Sequence, residues 1–283
     1  MLASLVIVAG CSNGVTGADG DEIESESESE GAIGTAQQAV SGKSIFKRGT
    51  FGGNGRTCLT CHSDETGTFS LSEVQARFAA DPGDPLFLSL DGDGATGASN
   101  HRLLDYGTML VTVPLAPGVV LADDPTATSV QLERSIPSTL NTPALDPVLM
   151  WDGRAPTLEA QALGAIQTHA QATETPSAGD LHKIAAYEKT LFSSTKLEDY
   201  AHGGPAPTLP LGNTLAEQRG RLFFLDLPFN PPSLHGFCGS CHSGPVLNTT
   251  NQYNPAQPPG LRFSTALVSD INVRNIPPRT FLF

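Results

Sequence analysis

Cys58-Leu59-Thr60-Cys61-His62 recurs as Cys238-Gly239-Ser240-Cys241-His242, so the pattern C-x-x-C-H occurs twice in this 283-residue chain. In such a run two thiols one short turn apart can each add to a vinyl group of a haem, and the adjacent imidazole then binds the iron. The pattern predicts two covalently bound c-type haems. The attachment residues are Cys58, Cys61, Cys238 and Cys241, and the proximal iron ligands are His62 and His242.

Other uses of paired cysteines explain the pattern less well. A zinc ribbon places its two C-x-x-C pairs about 15–20 residues apart, whereas most of the chain separates these two. A thioredoxin-like site has one C-x-x-C and no histidine after it, and a disulfide framework is typical of shorter secreted chains. Because haem iron carries redox chemistry, the repeated motif indicates a protein that transfers electrons.

The charge of the chain excludes one class of partner. The formal net charge is −13, and seven of the acidic residues lie between Asp19 and Glu30. No basic cluster is available to replace the counterions of a phosphate backbone, so nucleic acid is not expected as a partner.

The first residues resemble the end of a bacterial lipoprotein signal. A short apolar run from Met1 ends in Ala9-Gly10-Cys11, which predicts lipidation at Cys11. A lipid on Cys11 would anchor the protein to a bacterial membrane and place it in the periplasm or cell envelope. A signal normally has a basic n-region, which is missing here, so the true start is expected upstream of Met1.

Composition and pattern divide the rest of the chain. Residues 12–40 are rich in Gly, Ser, Asp and Glu and predict an acidic disordered tether. Apolar periodicity and capping residues predict helices over 71–80, 158–169, 180–192 and 215–225, and alternation predicts a strand over 109–115. A Gly- and Pro-rich cluster at 203–207 marks a boundary between a first haem domain, 41–203, and a second haem domain, 204–283.

The stretches around the two motifs resemble the bacterial di-haem cytochrome c peroxidase family, which includes MauG-type enzymes. The resemblance runs in order from about residue 41 to the end of the chain. It is carried by Gly52–Arg56, Ile136–Asn141, Trp151–Arg154 with Leu158–Ala162, Ile184–Leu191, and Gly220–Phe223 with Cys238–Pro245.

The resemblance implies a mainly α fold of two cytochrome c-like haem domains with long loops, the second of them incomplete. It also implies that a small redox protein, a cytochrome c or a cupredoxin, supplies electrons to one haem. The other haem then reduces hydrogen peroxide or another small oxidant. Trp151, the only tryptophan, stands where the family has a residue that assists transfer between the haems; core packing is the alternative role.

The chain departs from the family at the position that moves protons. The family has a glutamate a short way after its Leu-Glu-x-Gln-Ala segment, and the matching residue here is Gln171. A carboxamide cannot shuttle a proton as a carboxylate does. His169 could substitute, although a solvated loop histidine is the simpler interpretation. Gln161 matches a family active-site glutamine that can hold peroxide or water.

The distal ligands also differ from the family pattern. The histidine that caps the first haem in the family has no counterpart, so that haem is expected to be five-coordinate unless His101 or Met109 reaches it. No methionine follows the second motif, and the chain is expected to be short at its C-terminal end. Ser135 replaces an asparagine that helps to bind calcium in the family, and Asp91-Gly92-Asp93-Gly94 is interpreted as a polar turn, so no calcium site is predicted.

Four functions fit these observations. The leading hypothesis is electron transfer with peroxide reduction in a lipid-anchored di-haem cytochrome, with Trp151, Gln161 and Gln171 as the candidate catalytic residues. The alternatives are a MauG-type oxidase of an organic or protein substrate, a tethered electron carrier without catalysis, and a haem-based sensor.

Overall fold

The computed structural model describes residues 21–93, 99–115, 118–146, 149–150, 153–225, 236, 238–248 and 281–282, with only the backbone given for 21–33, 91, 240–241 and 281–282. The chain divides into two units. Residues up to Gln37 form one, which is helical from Asp21, and residues from Gln38 onward form the other.

The first helix, α1, spans Asp21–Arg48 and corrects the prediction of a disordered tether over residues 21–40. Its sequence contains many Glu, Ala and Gln residues, which have high helix propensities. Acidic residues at its start and Lys47 and Arg48 in its last turn complement the helix dipole. Composition alone predicted disorder because this segment has few apolar residues.

Short helices dominate the rest of the described chain. They are α2 (Cys58–Cys61), α3 (Leu71–Ala80), α4 (His101–Tyr106), α5 (Thr142–Leu145), α6 (Leu158–Thr168), α7 (Ala178–Glu188), α8 (Thr195–Ala201), α9 (Leu215–Phe224) and α10 (Cys238–Cys241). Two 3₁₀ turns lie at Pro85–Phe87 and Ser89–Asp91. Five of these helices are capped at their N-terminus by a side-chain oxygen that accepts from a backbone N–H group of the first turn. The capping residues are Ser70 for α3, Thr157 for α6, Ser177 for α7, Ser194 for α8 and Thr214 for α9.

A β-hairpin-like pair interrupts the helices. Strand β1 (Thr108–Pro114) pairs antiparallel with β3 (Ser129–Ser135), in a register that sets Thr108 opposite Ser135 and Pro114 opposite Ser129. A second, two-residue pairing joins β2 (Val120–Leu121) to β4 (Phe281–Leu282). The predicted strand at 109–115 is therefore confirmed within one residue.

Two apolar clusters form the part of the core that matters for the site. The α6–α7 cluster consists of Phe46, Ala162, Ile166, Leu181, Ile184 and Tyr187. The α3–α4 cluster consists of Val74, Leu86, Phe87, Leu103 and Met109. The end of α1 lies so close to α7 that a Cβ on Gly42 would stand 1.8 Å from the carbonyl oxygen of Lys183, so only glycine fits there.

The described residues therefore form a mainly α fold, as the sequence predicts. All members of the apolar clusters in the described part lie between Ile45 and Leu191. None of the helices among the described residues is long and apolar enough to cross a bilayer. The predicted boundary near residue 203 stays a prediction.

Candidate haem-attachment sites

The two C-x-x-C-H runs fold in the same way although 180 positions separate them. Each run forms one turn of helix, α2 or α10, that starts at its first cysteine and ends at its second. In each, the histidine N–H donates to the carbonyl of the first cysteine, over 3.0 Å for His62 and 2.8 Å for His242. The turn thus carries both cysteines and the histidine on one short, closed segment of backbone.

Both histidine rings are oriented by the carbonyl five residues further on. Nδ1 of His62 lies 2.8 Å from the carbonyl oxygen of Gly67, and Nδ1 of His242 lies 3.1 Å from that of Leu247. A carbonyl oxygen can only accept, so Nδ1 carries the proton in each ring. Nε2 is then the unprotonated nitrogen, which is the tautomer that binds a metal ion.

The first motif lies between the two apolar clusters. Cys58 packs against the α6–α7 cluster, and Cys61 packs against the α3–α4 cluster. Burial, followed by the charges of Glu188 and Cys61, raises the pKa of the Cys58 thiol to about 12. Burial also lowers the pKa of His62, opposed by its bond to Gly67, so the imidazole is neutral at physiological pH. An apolar surrounding, a neutral imidazole and two thiols on one turn fit a covalently attached haem.

The loop before Cys58 is joined to the loop that follows α6. Two backbone bonds connect them, since Asn54 N–H donates to Ala170 O over 2.8 Å and Glu174 N–H donates to Phe51 O over 3.0 Å. The side-chain hydroxyl of Thr173 adds a third bond, to Gly52 O over 3.0 Å. A Cβ on Gly53 would stand 2.1 Å from the carbonyl oxygen of Ala170. The two loops therefore approach so closely that glycine is required at position 53.

Arg56 holds the same region together from the inside. It is only 2% exposed, and its guanidinium donates to four carbonyl oxygens: Pro85 at 2.7 Å, Leu86 at 3.2 Å, His169 at 3.3 Å and Leu88 at 3.4 Å. These bonds tie the loop before Cys58 to the backbone around the 3₁₀ turn at Pro85–Phe87 and to the end of α6. Apart from the resemblance of the Gly52–Arg56 segment, no sequence pattern indicates this role of Arg56.

The candidate proton-transfer residues lie at and beyond the end of α6. Gln171 adopts a left-handed backbone conformation with a φ of 50°, and its Oε1 accepts from Asn54 Nδ2 over 3.2 Å. The carbonyl of His169 accepts from the same Asn54 amide over 2.9 Å, and the charge of the His169 ring contributes to lowering the pKa of His62 after burial. Gln161 is half-buried on α6, and its side chain contacts neither residue through a hydrogen bond in the described part of the chain.

The two alternative distal ligands occupy very different places. The His101 side chain is 81% exposed, and its Nδ1 lies 3.5 Å from Asp105 on the same helix. Met109 is buried in the α3–α4 cluster, against which Cys61 also packs. Of these two side chains Met109 is therefore the one next to the first motif.

Glu188 is a buried acid that the sequence did not single out. It is 4% exposed at the end of α7, and its Oε2 has no hydrogen-bond partner among the residues that the structure describes. Burial, and then the charge of Glu159, raises the pKa of its carboxyl group to about 8. After burial, the charge of Glu188 is the next cause of the raised pKa of the Cys58 thiol, so this carboxyl group lies near the first attachment site.

The second motif has a more open setting. His242 and Cys238 are exposed, and α9 has no buried residue. Gly236 lies against Phe223, since a Cβ there would stand 2.3 Å from the Phe223 carbonyl oxygen. Asn248, just after the motif, donates to Asp146 over 3.0 Å and links this segment to the region after α5.

Several predicted residues lie outside what the structure describes. Trp151 and Cys11 are among the residues that are not described, and for Cys241 only the backbone is given.

Asp93 accepts from the backbone N–H groups of His101 and Arg102 and so caps α4. Among the described side chains, no three His, Cys, Asp or Glu residues gather into a group that could hold a metal ion.

A protein-family model with the description di-haem cytochrome c peroxidase matches residues 36–203. The matched range contains the first C-x-x-C-H run, both loops that surround it, and α6 and α7, and it ends before the second run. No curated protein and no solved structure matches the chain.

Proposed function

The chain belongs to the di-haem cytochrome c peroxidase family, and we propose that it carries two haems c and passes electrons from a small redox protein to hydrogen peroxide. Two electrons and two protons convert one molecule of peroxide to two of water. The electrons come from a cytochrome c or cupredoxin in the periplasm or cell envelope, where lipidated Cys11 tethers the protein. The family implies haem c as the cofactor.

The observation that carries this proposal is the shared geometry of the two motifs. His62 and His242 each close a one-turn helix onto the first cysteine and each orient Nδ1 toward a carbonyl five residues on. Each chain segment would hold one haem through two thioether bonds and one imidazole, and the haems would supply the redox chemistry. A disulfide role does not require this orientation of the histidine ring.

The difference in burial supports a division of labour between the motifs. Cys58 and Cys61 at the first attachment site are half-buried against two apolar clusters, whereas Cys238 and His242 at the second are exposed. An exposed site suits electron entry from a partner protein, and an enclosed site suits chemistry from which bulk water is excluded. The first motif would therefore hold the reactive haem and the second the entry haem.

The side chains around the first site limit its proton chemistry. Gln171 stands at the position of the family glutamate and cannot accept a proton, so peroxide reduction would be slow unless His169 provides the base. The side-chain amides of Gln171 and Gln161 would then bind and orient the peroxide. Slow turnover is also compatible with a MauG-type oxidase, an electron carrier or a haem-based sensor.

The test is peroxide turnover by the holo-protein with a reduced cytochrome c as donor. We expect measurable turnover, and Gln171→Glu should increase it about a hundredfold because a carboxylate restores general acid–base catalysis. Gln167→Glu is the matched control, since Gln167 is exposed on α6 and contacts neither motif. If the haems are reduced quickly but neither the unmodified protein nor Gln171→Glu turns over peroxide, peroxide reduction is contradicted and the protein is an electron carrier.

Carbon monoxide binding to the reduced protein identifies the open iron. We expect it at the first haem in the unmodified protein. If Met109 occupies that iron, carbon monoxide should bind only after Met109→Ala, and the first haem is then not the reactive centre. Binding at the second haem alone would reverse the proposed division of labour.

A further inference from the structure

Glu188 is a titratable side chain enclosed in the core near the first motif. It is 4% exposed, and its Oε2 accepts no hydrogen bond from any residue that the structure describes. Buried carboxylates are normally hydrogen-bonded or paired with a cation, because burial without such partners penalises the charge. A carboxyl group in this setting is protonated while its surroundings are neutral, and it ionises more readily when a positive charge arises nearby.

The packing of α7 places Glu188 on the side of the first cysteine. Its neighbour Tyr187 belongs to the α6–α7 cluster, and Cys58 packs against that cluster. The charge of Glu188 accordingly contributes, after burial, to raising the pKa of the Cys58 thiol. The pKa of His62 is instead lowered by burial and by the charge of His169, and Glu188 is not among its causes. The carboxyl group therefore acts on the point of haem attachment and not on the proximal imidazole.

The groups that face Glu188 from neighbouring elements do not neutralise its charge. On α6 the carboxylate of Glu159 adds to the effect of burial, and together they raise the pKa of Glu188 to about 8. On α2 the facing group is the Cys58 thiol, whose pKa is also raised. Burial raises the pKa of Tyr187 as well, and α5, which packs against α7, carries no charged residue. No cation among the described groups opposes these effects, although the exposed Lys189 follows in sequence.

Glu159 connects the buried acid to solvent. Its side chain is 38% exposed, and its Oε1 lies 3.5 Å from Nδ1 of His182, whose side chain is 60% exposed. Glu159 and Lys189 also line a cleft of about 460 Å³ between α5 and the start of α6. Titratable neighbours thus lead from the enclosed carboxyl group of Glu188 to bulk solvent.

We propose that Glu188 is the acid that takes up a proton when the haem at the first motif is reduced. A ferric haem carries one more positive charge than a ferrous haem, so oxidation favours the carboxylate and reduction favours the carboxylic acid. In this step one electron comes from the reduced donor protein, one proton comes from solvent, and a single O–H bond forms on Glu188. The inference rests on the proposed function, since it requires a haem at the first motif. It adds that electron entry there is coupled to proton uptake.

Spectroelectrochemical titration of the holo-protein between about pH 5 and pH 9 measures this coupling. The two haems give two transitions, and the one that is absent after Cys58 and Cys61 are replaced by alanine belongs to the first haem. Its midpoint potential should fall as the pH rises, by up to about 59 mV for each tenfold fall in proton concentration. In Glu188→Gln it should keep its acidic value at every pH. Glu198→Gln, exposed on α8, is the matched control and should behave as the unmodified protein.

Glu159→Gln tests the assignment without altering the buried acid. Removal of the like charge should lower the pKa of Glu188, so the pH-dependent range of the first haem should move to lower pH. A purely structural role of Glu159 gives no such displacement. Infrared difference spectra between the oxidised and reduced protein provide a second readout. The carbonyl band of a protonated carboxyl group should appear on reduction and should be missing in Glu188→Gln.

The remaining outcomes also decide. A first-haem potential that does not change with pH, or that changes equally in the unmodified and Glu188→Gln proteins, overturns proton uptake at Glu188 while leaving peroxide reduction standing. If the unmodified chain carries no haem at the first motif, the inference is overturned together with the proposed function. If haem analysis shows that Glu188→Gln has lost the first haem, Glu159→Gln decides alone, and an undisplaced pH range overturns the inference.

Discussion

Replacing Glu188 by glutamine should make the protein more stable, by an amount that increases with pH. Burial raises the pKa of this carboxyl group from 4.5 to about 8, so the folded chain holds a proton that the unfolded chain has released at neutral pH. The folded state binds more protons, and stability is therefore lost as the pH rises from 4.5 to 8. Glutamine has the same shape and does not titrate.

The size of the effect follows from the displacement of the pKa. A displacement of about 3.5 units corresponds to about 5 kcal/mol at pH 8 and above, and to about 3 kcal/mol at pH 7. Below pH 4.5 both side chains are neutral in the folded and unfolded states. The free energy of unfolding of Glu188→Gln should there be close to that of the unmodified protein.

Urea unfolding followed by circular dichroism at pH 5, 6, 7 and 8 measures this difference. Glu198→Gln is the matched control, because Glu198 is exposed on α8 and its replacement should give a difference that does not change with pH. A Glu188→Gln difference that is flat over this range would refute the reasoning. So would a variant that is less stable than the unmodified protein at pH 8, since the carboxylate would then have a partner.

Three further predictions concern the helices and the first attachment site. Ser70→Ala removes the capping box at the start of α3, where the Ser70 oxygen accepts from Glu73 N–H, and should lower the free energy of unfolding by about 1 kcal/mol; an unchanged urea midpoint would contradict it. Gly53→Ala forces a Cβ against the Ala170 carbonyl and should destabilise by about 3 kcal/mol, whereas Gly164→Ala, which meets open space inside α6, should stabilise by about 0.5–1 kcal/mol. Equal effects at the two glycines would contradict the close approach of the loops. In the haem-free chain at pH 8, Cys58 should react with iodoacetamide about a thousandfold more slowly when folded than in urea, because burial raises its pKa from 9.0 to about 12; mass spectrometry of the labelled peptide measures the ratio, and equal rates would show that the thiol is accessible.

Local signals predicted much of the helical structure. The predicted helix over 71–80 is α3 with Ser70 as its cap, and those predicted over 158–169 and 215–225 each end one residue early. The helix predicted over 180–192 ends at Glu188, four residues early. It starts at Ala178, because the cap is Ser177, whose oxygen accepts from Asp180 N–H. Asp180 also has a side chain that can cap a helix, and the sequence does not distinguish it from Ser177 as the capping residue.

Elements with weak apolar periodicity were missed. Strand β3 buries three residues, Val130, Leu132 and the charged Glu133, and α8 has no buried residue, so neither gives a clear pattern. Both depend on neighbours that are distant in sequence or on a single cap. Such elements follow from tertiary packing and not from local preference.

The motifs could be predicted from the sequence, whereas the contacts that support them could not. C-x-x-C-H is a local pattern, and its one-turn helix needs no distant partner. The bonds from Asn54 and Arg56 to His169 cross more than 110 positions, and the burial of Glu188 at the end of α7 depends on how α6 and α7 pack. Identification of the residues around the first site therefore required the structure.

The most direct test of the account is the mass and absorption spectrum of the protein after expression in a host that attaches haem c. The account predicts two covalently bound haems per chain. It also predicts that one haem is lost when Cys58 and Cys61 are replaced by alanine, and the other when Cys238 and Cys241 are replaced. A chain that carries no haem, or that retains both haems after either pair is replaced, would contradict it.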